Sequence, residues 1–441
     1  MTTANVAHPA ASLREFLEQM GERDLVSCLV PGKRGEGHLP CLRNAFLVLA
    51  YDEAWEGVLA FNAFVGAVVK LKPPPFPQGE LGPWTDMDDL RAELWISQQY
   101  DMQMRTEQVA KAVQLAADQR TFHPVRAFLE QCAAQWDEKP RLDNWLMAYL
   151  GARCRALQGE DAACYLRSVA AKFLISAVAR IFKPGCKADH VLILEGDQGI
   201  GKSSALKVLF GAEWFSDTPI RIGDKDSYQT MLGKFGIELA EMDSFNRADV
   251  EAAKAFFSSG EDHYRPSYGR RAVTVPRQCV FFGTANKDAY FKDESGNRRY
   301  WPVECTRADL YGPDPDDNLA TMRQQLWGEA VHRFRAGEKW WPVRAEPFED
   351  GNKVDEIALF TAEQEVRYIG DAYEELLAEY LDKLAPGTPD VTMRDLLQDG
   401  LQLDRSKWTR AEQTRVGIAM RRLGWRKVRG RQVYVQASGD R

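Results

Sequence analysis

The chain has 441 residues, which at ~100–200 residues per domain predicts two to four domains. Hydrophobic residues make up 45% and charged residues 27% of it, which excludes a disordered, fibrous or low-complexity protein. The eight cysteines show no CxxC spacing and no clustering with histidine, so we expect reduced thiols and no structural zinc site. We also expect neither a secretory signal nor a membrane span.

Charge is distributed unevenly along the chain. The net charge of −7 taken alone argues against binding to nucleic acid. Between Arg405 and Arg431, however, ten Lys or Arg residues stand against one Asp or Glu. Positive charge concentrated at one end is typical of a nucleic-acid-binding surface.

In chain order, the predicted elements divide the sequence into four parts. Residues 1–160 read as a mainly helical region. Residues 161–345 begin with a long helix and continue as short apolar runs that alternate with helices, which predicts a parallel sheet covered on both faces. Residues 346–371 are acidic and predict a linker. Residues 372–441 contain three helices followed by two short strands, a pattern typical of a winged-helix-like domain.

A phosphate-binding loop is predicted at residues 196–203, where GDQGIGKS matches GxxxxGK[ST] between an apolar strand and a helix. Glycines let the backbone N–H groups turn toward phosphate oxygens, and the helix N-terminus faces the same anion. Lys202 would reach the β- and γ-phosphates of ATP, and Ser203 would ligate Mg²⁺. The predicted nucleotide-binding residues are Gly196, Asp197, Gln198, Gly199, Ile200, Gly201, Lys202, Ser203 and Ser204.

An acidic strand follows at residues 233–243, GKFGIELAEMD. A P-loop enzyme needs a carboxylate on a neighbouring strand to hold Mg²⁺ and orient water. We favour Glu241 as this carboxylate, with Asp243 close to the metal as well. Glu238 is the alternative, and otherwise it would be a solvated or ion-paired side chain.

Two further segments suit the transfer of a γ-phosphate. The apolar run CVFFGTAN would end with Asn286 beside the γ-phosphate, where it could position the attacking water. A turn-forming asparagine at a strand end is the alternative. Arg298 and Arg299 read either as a surface pair in salt bridges or as an arginine finger, acting in cis or from a neighbouring subunit.

Two basic segments are candidates for contact with DNA. Residues 258–276 predict a hairpin in which arginines and tyrosines could bind phosphates and stack on bases, although an exposed charged loop is the alternative. The basic C-terminal part could contact phosphates or, alternatively, a partner protein. The candidate residues are Arg265, Tyr268, Arg270, Arg271, Arg415, Arg421, Arg422, Arg426, Lys427, Arg429 and Arg431.

This order of motifs resembles the superfamily 3 helicases of small viruses and plasmids, and more closely the virulence-associated E family of phage and genomic-island proteins. The segments that carry the resemblance are ILEGDQGIGKSSALKVLFG, IELAEMDSF, FFSSGEDHYRPSYGRR, FFGTAN, GNRRYWPV and LWGEAVHRF. The resemblance implies an AAA+-like ATPase that uses ATP and Mg²⁺ and assembles as a ring, a hexamer, on single-stranded and origin DNA. It also implies a role in replication in the bacterial cytoplasm, with a primase or replication protein as partner and no membrane.

Two hypotheses about function follow. The first is a replicative DNA helicase or initiator driven by ATP hydrolysis. The alternative is an ATPase switch that does not unwind DNA and instead gates DNA or partner-protein binding in replication initiation or phage interference. Both use Lys202 and the same loop.

Overall fold

The computed structural model describes residues 13–32, 37–220, 225–239, 247–265, 272–286, 297–310, 314, 316–344, 355–368, 372–384, 390–428 and 433–436.

The N-terminal unit combines four helices with a small sheet. The helices are α1 (Leu13–Met20), α2 (Leu42–Tyr51), α3 (Asp86–Tyr100) and α4 (Thr106–Asp118). The strands are β1 (Leu59–Asn62), β2 (Ala67–Lys70), β3 (Gly82–Pro83) and β4 (Thr121–Phe122), in the order β3-β2-β1-β4. Only the β1–β4 pair is parallel. The sequence does not predict this small sheet within the mainly helical region.

The small sheet forms because one apolar run is divided between a helix and a strand. The run after Leu42 continues through α2 into β1, and Asp52 interrupts it. The Asp52 side chain accepts a hydrogen bond of 2.7 Å from the backbone N–H of Ala54. This bond caps a short turn, and the helix α2 ends there. The buried Lys70–Asp88 ion pair, 2.5 Å from Nζ to Oδ2, then joins the sheet to α3.

A five-stranded parallel sheet forms the centre of the molecule. Its strands are β5 (Val191–Glu195), β6 (Phe215–Ser216), β7 (Gly236–Leu239), β10 (Val280–Ala285) and β11 (Tyr300–Glu304). The order is β11-β5-β10-β7-β6, and every neighbouring pair is parallel. This is the covered parallel sheet that the alternating apolar runs predict.

Helices cover both faces of this sheet. They are α5 (Pro124–Ala134), α6 (Trp145–Leu150), α7 (Gly159–Phe182), α8 (Lys202–Phe210), α9 (Lys225–Thr230), α10 (Arg247–Ser258), α11 (Leu319–Arg335) and α12 (Glu356–Glu365). Because side chains alternate along a strand, Leu192 and Leu194 pack toward α7, whereas Val191 and Ile193 pack toward α10. Each face therefore has its own apolar core.

Among the described residues, one helix, α7, is long and apolar enough to cross a bilayer by length and composition. Within the fold, 72% of its apolar window is buried. Tyr165, Val169 and Phe173, for example, lie in the core beneath the sheet. The apolar surface of α7 is thus taken up by the protein itself.

Both boundaries of the predicted core differ from the structure. Upstream, α5 and α6 contribute Leu129 and Trp145 to the same apolar core as the sheet, so this core begins well before residue 161. Downstream, α12 lies within the predicted linker and packs on the core, where the Phe360 ring contacts Tyr165 and Trp301 at centroid distances of 4.8 and 5.2 Å. The acidic composition of 346–371 concealed these apolar contacts.

The C-terminal unit has a separate apolar core. Its elements are α13 (Ala372–Asp382), β12 (Val391–Thr392), α14 (Met393–Asp395) with a π-helical turn (Leu396–Gly400), α15 (Arg410–Arg422), β13 (Trp425–Lys427) and β14 (Val433–Gln436). The three strands pair antiparallel in the order β12-β14-β13. Leu377, Leu396, Val416 and Tyr434 fill the space between helices and sheet.

A buried ionic network connects α12 to the first strand of the central sheet. Arg367 donates to both carboxylate oxygens of Glu195, at 2.6 and 2.7 Å, and to the carboxylate of Glu363 at 2.6 Å. Glu363 also accepts backbone N–H bonds from Arg155, Ala156 and Leu157, at 2.8–3.1 Å. Arg367, Glu195 and Glu363 are fully buried. Each charge is therefore stabilised by its ion-pair partner and not by water.

We expect Arg367→Met to lower the free energy of unfolding by about 3–5 kcal/mol, because it removes the cation shared by two buried carboxylates. Glu195 keeps Arg155 at 3.3 Å. The measurement is the denaturant midpoint of the core transition. Arg167→Met is the matched control, since it removes an exposed pair with Glu160 at 3.0 Å and should change stability by about 1 kcal/mol or less. Equal midpoint shifts for the two variants would contradict the assignment.

Candidate nucleotide-binding site

The glycine-rich loop joins the buried strand β5 to helix α8. Gly196, Gly199 and Gly201 adopt φ angles of 137°, 87° and 92°, a region that L-residues with side chains rarely occupy. A Cβ at Gly196 would lie 2.3 Å from the carbonyl oxygen of Cys305. The loop conformation therefore requires glycine at these places, and it ends where α8 begins at Lys202.

Lys202 is buried at the inside of this loop. Its Nζ donates to the carbonyl oxygens of Gly196 and Asp197, at 2.7 and 2.8 Å, and to Oδ1 of Asn286 at 3.3 Å. Burial lowers the pKa of Lys202, although Asp197 and Glu238 oppose this effect. The structure thus brings Asn286, at the end of β10, to the ammonium group of the loop.

Glu238 lies on the other side of the loop, on β7. Its Oε1 accepts hydrogen bonds from the Ser203 hydroxyl at 2.7 Å and from the Thr284 hydroxyl at 3.0 Å. Its Oε2 is buried and has no hydrogen-bond partner in the described part of the chain. A solvated Glu238, one of the alternatives that the sequence leaves open, does not fit this burial.

The donors around Ser203 suit a magnesium ion. A hydroxyl, a carboxylate with one unused oxygen and space for water are what Mg²⁺ takes from a protein when phosphates supply the remaining ligands. The described residues contain no group of three or more His, Cys, Asp or Glu side chains that could hold a metal on its own. Glu241 and Asp243 lie outside the described residues, so their part in the site stays a prediction.

The tandem arginines lie at the opposite end of the sheet from the loop. They form a short turn just before β11, whose first residue, Tyr300, pairs with Val191 at the start of β5. The five residues of β5 separate this end from Gly196, which is ~16 Å at 3.3 Å per residue. Within one chain, Arg298 and Arg299 are therefore not brought to Lys202.

The two arginines also differ from each other. Arg299 donates to the hydroxyl of Ser258 at 2.9 Å and lies 3.7 Å from the carboxylate of Asp189. Arg298 is exposed and forms no ion pair in the described part of the protein. Arg299 thus has a structural role at this end, whereas Arg298 is exposed.

The predicted basic hairpin has a firmly anchored base. Strands β8 (Glu261–Tyr264) and β9 (Val273–Pro276) pair antiparallel. Just after β9, the buried Arg277 donates to Asp262 at 2.6–3.0 Å and to the carbonyl oxygen of Phe256. Arg265 is exposed at the end of β8. Tyr268, Arg270 and Arg271 lie outside the described residues.

The basic residues of the C-terminal unit fall into two groups. The guanidinium of Arg415 lies 3.8 Å from the ring centroid of Tyr373, and that of Arg422 lies 3.5 Å from the ring centroid of Tyr368. Each of these two arginines therefore packs on a tyrosine ring, although Arg422 is also exposed. Arg421, Arg426 and Lys427 are exposed as well, and Arg429 and Arg431 lie outside the described residues.

Thr284 is the site residue that the sequence reasoning missed. It precedes Asn286 by two positions on β10, so the alternation of side chains places both on one face and could have identified it. Glu238 carried a signal too, because a lone acidic residue within a buried parallel strand is unusual.

A family model described as the virulence-associated protein E-like domain matches residues 129–359, a little more than half of the chain. No curated protein sequence matches the chain. The apo structure of the NrS-1 C-terminal region (305–718) is similar at 12% identity, covering 86% of this chain and 96% of that one, with a TM-score of 0.43. An A-form apo structure of the same region matches at 14% identity over 65% and 77% of the two chains, with a TM-score of 0.34.

We expect Glu238→Gln to stabilise the protein by about 1–2 kcal/mol, because it removes the negative charge of a buried carboxylate that has one oxygen without a partner in the described part of the chain. A melting curve without added metal measures this as an increase of ~2–8 °C in the melting temperature. Added Mg²⁺ should raise the melting temperature of the wild type more than that of the variant. Glu213→Gln, at an exposed site, is the control, and a lower melting temperature for Glu238→Gln would contradict the assignment.

Proposed function

The chain belongs to the virulence-associated protein E-like family, and from this premise we propose that it is an ATP-dependent DNA helicase or replication initiator. The observation that carries the proposal is the convergence of three side chains at the carboxyl ends of three adjacent parallel strands. Lys202 follows β5, Glu238 lies on β7 and Asn286 follows β10. The carboxyl ends of parallel strands are where α/β proteins bind nucleotides.

In this proposal, each group has a separate task in ATP hydrolysis. The loop N–H groups and the N-terminus of α8 bind the phosphates. The ammonium group of Lys202 exchanges its hydrogen bonds to the carbonyl oxygens of Gly196 and Asp197 for contacts with the β- and γ-phosphates. Ser203 and Glu238 hold Mg²⁺, which neutralises developing phosphate charge when bound. Asn286 orients the attacking water. Glu241 and Asp243 remain proposed carboxylates of the same site.

We further propose that Arg298 acts on the nucleotide of a neighbouring subunit. Its distance from Lys202 within the chain and its exposure support action in trans rather than in cis. An arginine that stabilises the transferring phosphoryl group from a second subunit makes hydrolysis depend on assembly. A homo-hexameric ring around DNA is the assembly that we propose.

DNA would contact two surfaces in this arrangement. The first is the hairpin, with Arg265, Tyr268, Arg270 and Arg271. The second is the C-terminal unit, where the order of helices and the antiparallel sheet support a winged-helix assignment. There the exposed Arg421, Arg426 and Lys427 are better candidates for phosphate contact than Arg415 and Arg422, which pack on tyrosines. We propose that the protein acts in phage or genomic-island replication in the bacterial cytoplasm, beside a primase or replication protein.

The experiment that tests the function is ATP hydrolysis by the purified protein, with and without single-stranded DNA. We expect stimulation by DNA and a loss of about a hundredfold or more in Lys202→Ala, because it removes the cation that meets the transferring phosphate. Lys207→Ala is the matched control, since Lys207 is exposed on the same helix. A rate of ATP hydrolysis that single-stranded DNA does not change would contradict the helicase hypothesis and favour the ATPase switch.

Mixing two inactive variants tests the arginine in trans. Lys202→Ala and Arg298→Ala should each hydrolyse little ATP alone. In an equal mixture, about a quarter of the subunit interfaces combine an intact loop with an intact arginine, so activity should return to about that fraction. A mixture that stays inactive although the subunits exchange would contradict action between subunits.

A further inference from the structure

A cavity of about 750 Å³ lies at the end of the sheet opposite the nucleotide loop. Residues just before β5, the turn before β11, α12 and the segment 340–344 form its walls. None of the loop residues lines it. Its size matches the 300–1,000 Å³ typical of small-molecule sites.

The cavity is positively charged although the whole chain is acidic. Among the described residues that line it, four are cationic, Lys187, Arg298, Arg299 and Arg344, and one, Asp189, is a carboxylate. Asp189 is already engaged, since it lies 3.7 Å from Arg299 and 3.9 Å from Lys187. The remaining charge would attract an anion.

The neighbouring His190 does not add to this charge. Burial lowers the pKa of His190 to about 4, a shift that Asp189 opposes and that the like charges of Lys187, Arg298 and Arg299 support. The imidazole therefore stays neutral at neutral pH, stacked on Trp301 at a centroid distance of 4.2 Å. Its Nδ1 is buried without a hydrogen-bond partner in the part of the chain that the structure describes.

Two tryptophans supply an aromatic wall next to the cations. The indole N–H of Trp340 donates to the carbonyl oxygen of Lys187 at 2.9 Å, which fixes its ring. Trp341 meets it edge to face at a centroid distance of 5.0 Å, and Trp341 is 42% exposed. An exposed, supported indole beside arginine is a stacking surface for a nucleobase.

We propose that this cavity binds a nucleotide unit, with its base against Trp341 and its phosphate near Arg344 and Lys187. The unit is either a free nucleotide or one nucleotide of a single strand, since both offer the same base and phosphate. The proposal depends only on the cavity residues. It is a second site, separated from the ATP loop by the length of β5.

The test uses the full chain carrying Lys202→Ala in every subunit, which weakens the nucleotide loop. Thymidine monophosphate is titrated by calorimetry, because it lacks the β- and γ-phosphates that the loop would need. We expect Trp341→Ala and Arg344→Gln each to weaken its binding about tenfold. Trp341→Phe keeps a stacking ring and should bind nearly as the parent does. Arg105→Gln, exposed in the N-terminal unit, should change nothing.

A second arm uses a thymidine octamer that carries one 5-iododeoxyuridine for photocrosslinking, mapped by mass spectrometry. Crosslinks at Trp341 without measurable binding of the monophosphate identify a strand as the source. Binding of the monophosphate without such crosslinks identifies a free nucleotide. If thymidine monophosphate binding is absent or insensitive to both cavity variants, and no crosslink maps to the cavity, the proposal is overturned.

Discussion

The fully buried interaction between Arg367 and the carboxylates of Glu195 and Glu363 determines how the parts of this protein fit together. Glu195 is the last residue before the glycine-rich loop, and Glu363 receives three backbone N–H groups from residues 155–157. One guanidinium therefore joins three parts of the chain that are distant in sequence. Because a buried charge without its partner is costly, these parts hold their places together.

Because the strands of the central sheet are parallel, the glycine-rich loop and the cationic cavity lie at opposite ends of the sheet. Every strand of the central sheet points the same way, so residues after the strands share one edge and residues before them share the other. The loop, Glu238 and Asn286 lie toward the first edge, whereas the tandem arginines and the aromatic cavity lie at the second. A single chain thus carries the glycine-rich loop at one end of the sheet and a cationic cavity at the other.

Much of this arrangement could be predicted from local sequence. The parallel sheet, the loop and the proximity of Asn286 follow from apolar runs and motif spacing, which depend on neighbouring residues. The role of α12 could not be predicted, because its key contact joins Arg367 to Glu195 across 172 positions. For the same reason the sequence could not identify Arg415 and Arg422 as arginines that pack on tyrosine rings. The small N-terminal sheet was hidden by an apolar run that a single aspartate divides.

The anchored base of the hairpin has a mechanical consequence. Arg277 ties β8 to α10 through Asp262 and Phe256, and only two residues separate it from the first residue of β10. The described base of the hairpin and the start of β10 therefore share one buried anchor, and β10 is the strand that precedes Asn286. A shift of β8 would thus be transmitted through Arg277 to β10, and from the end of that strand to the contact between Asn286 and Lys202.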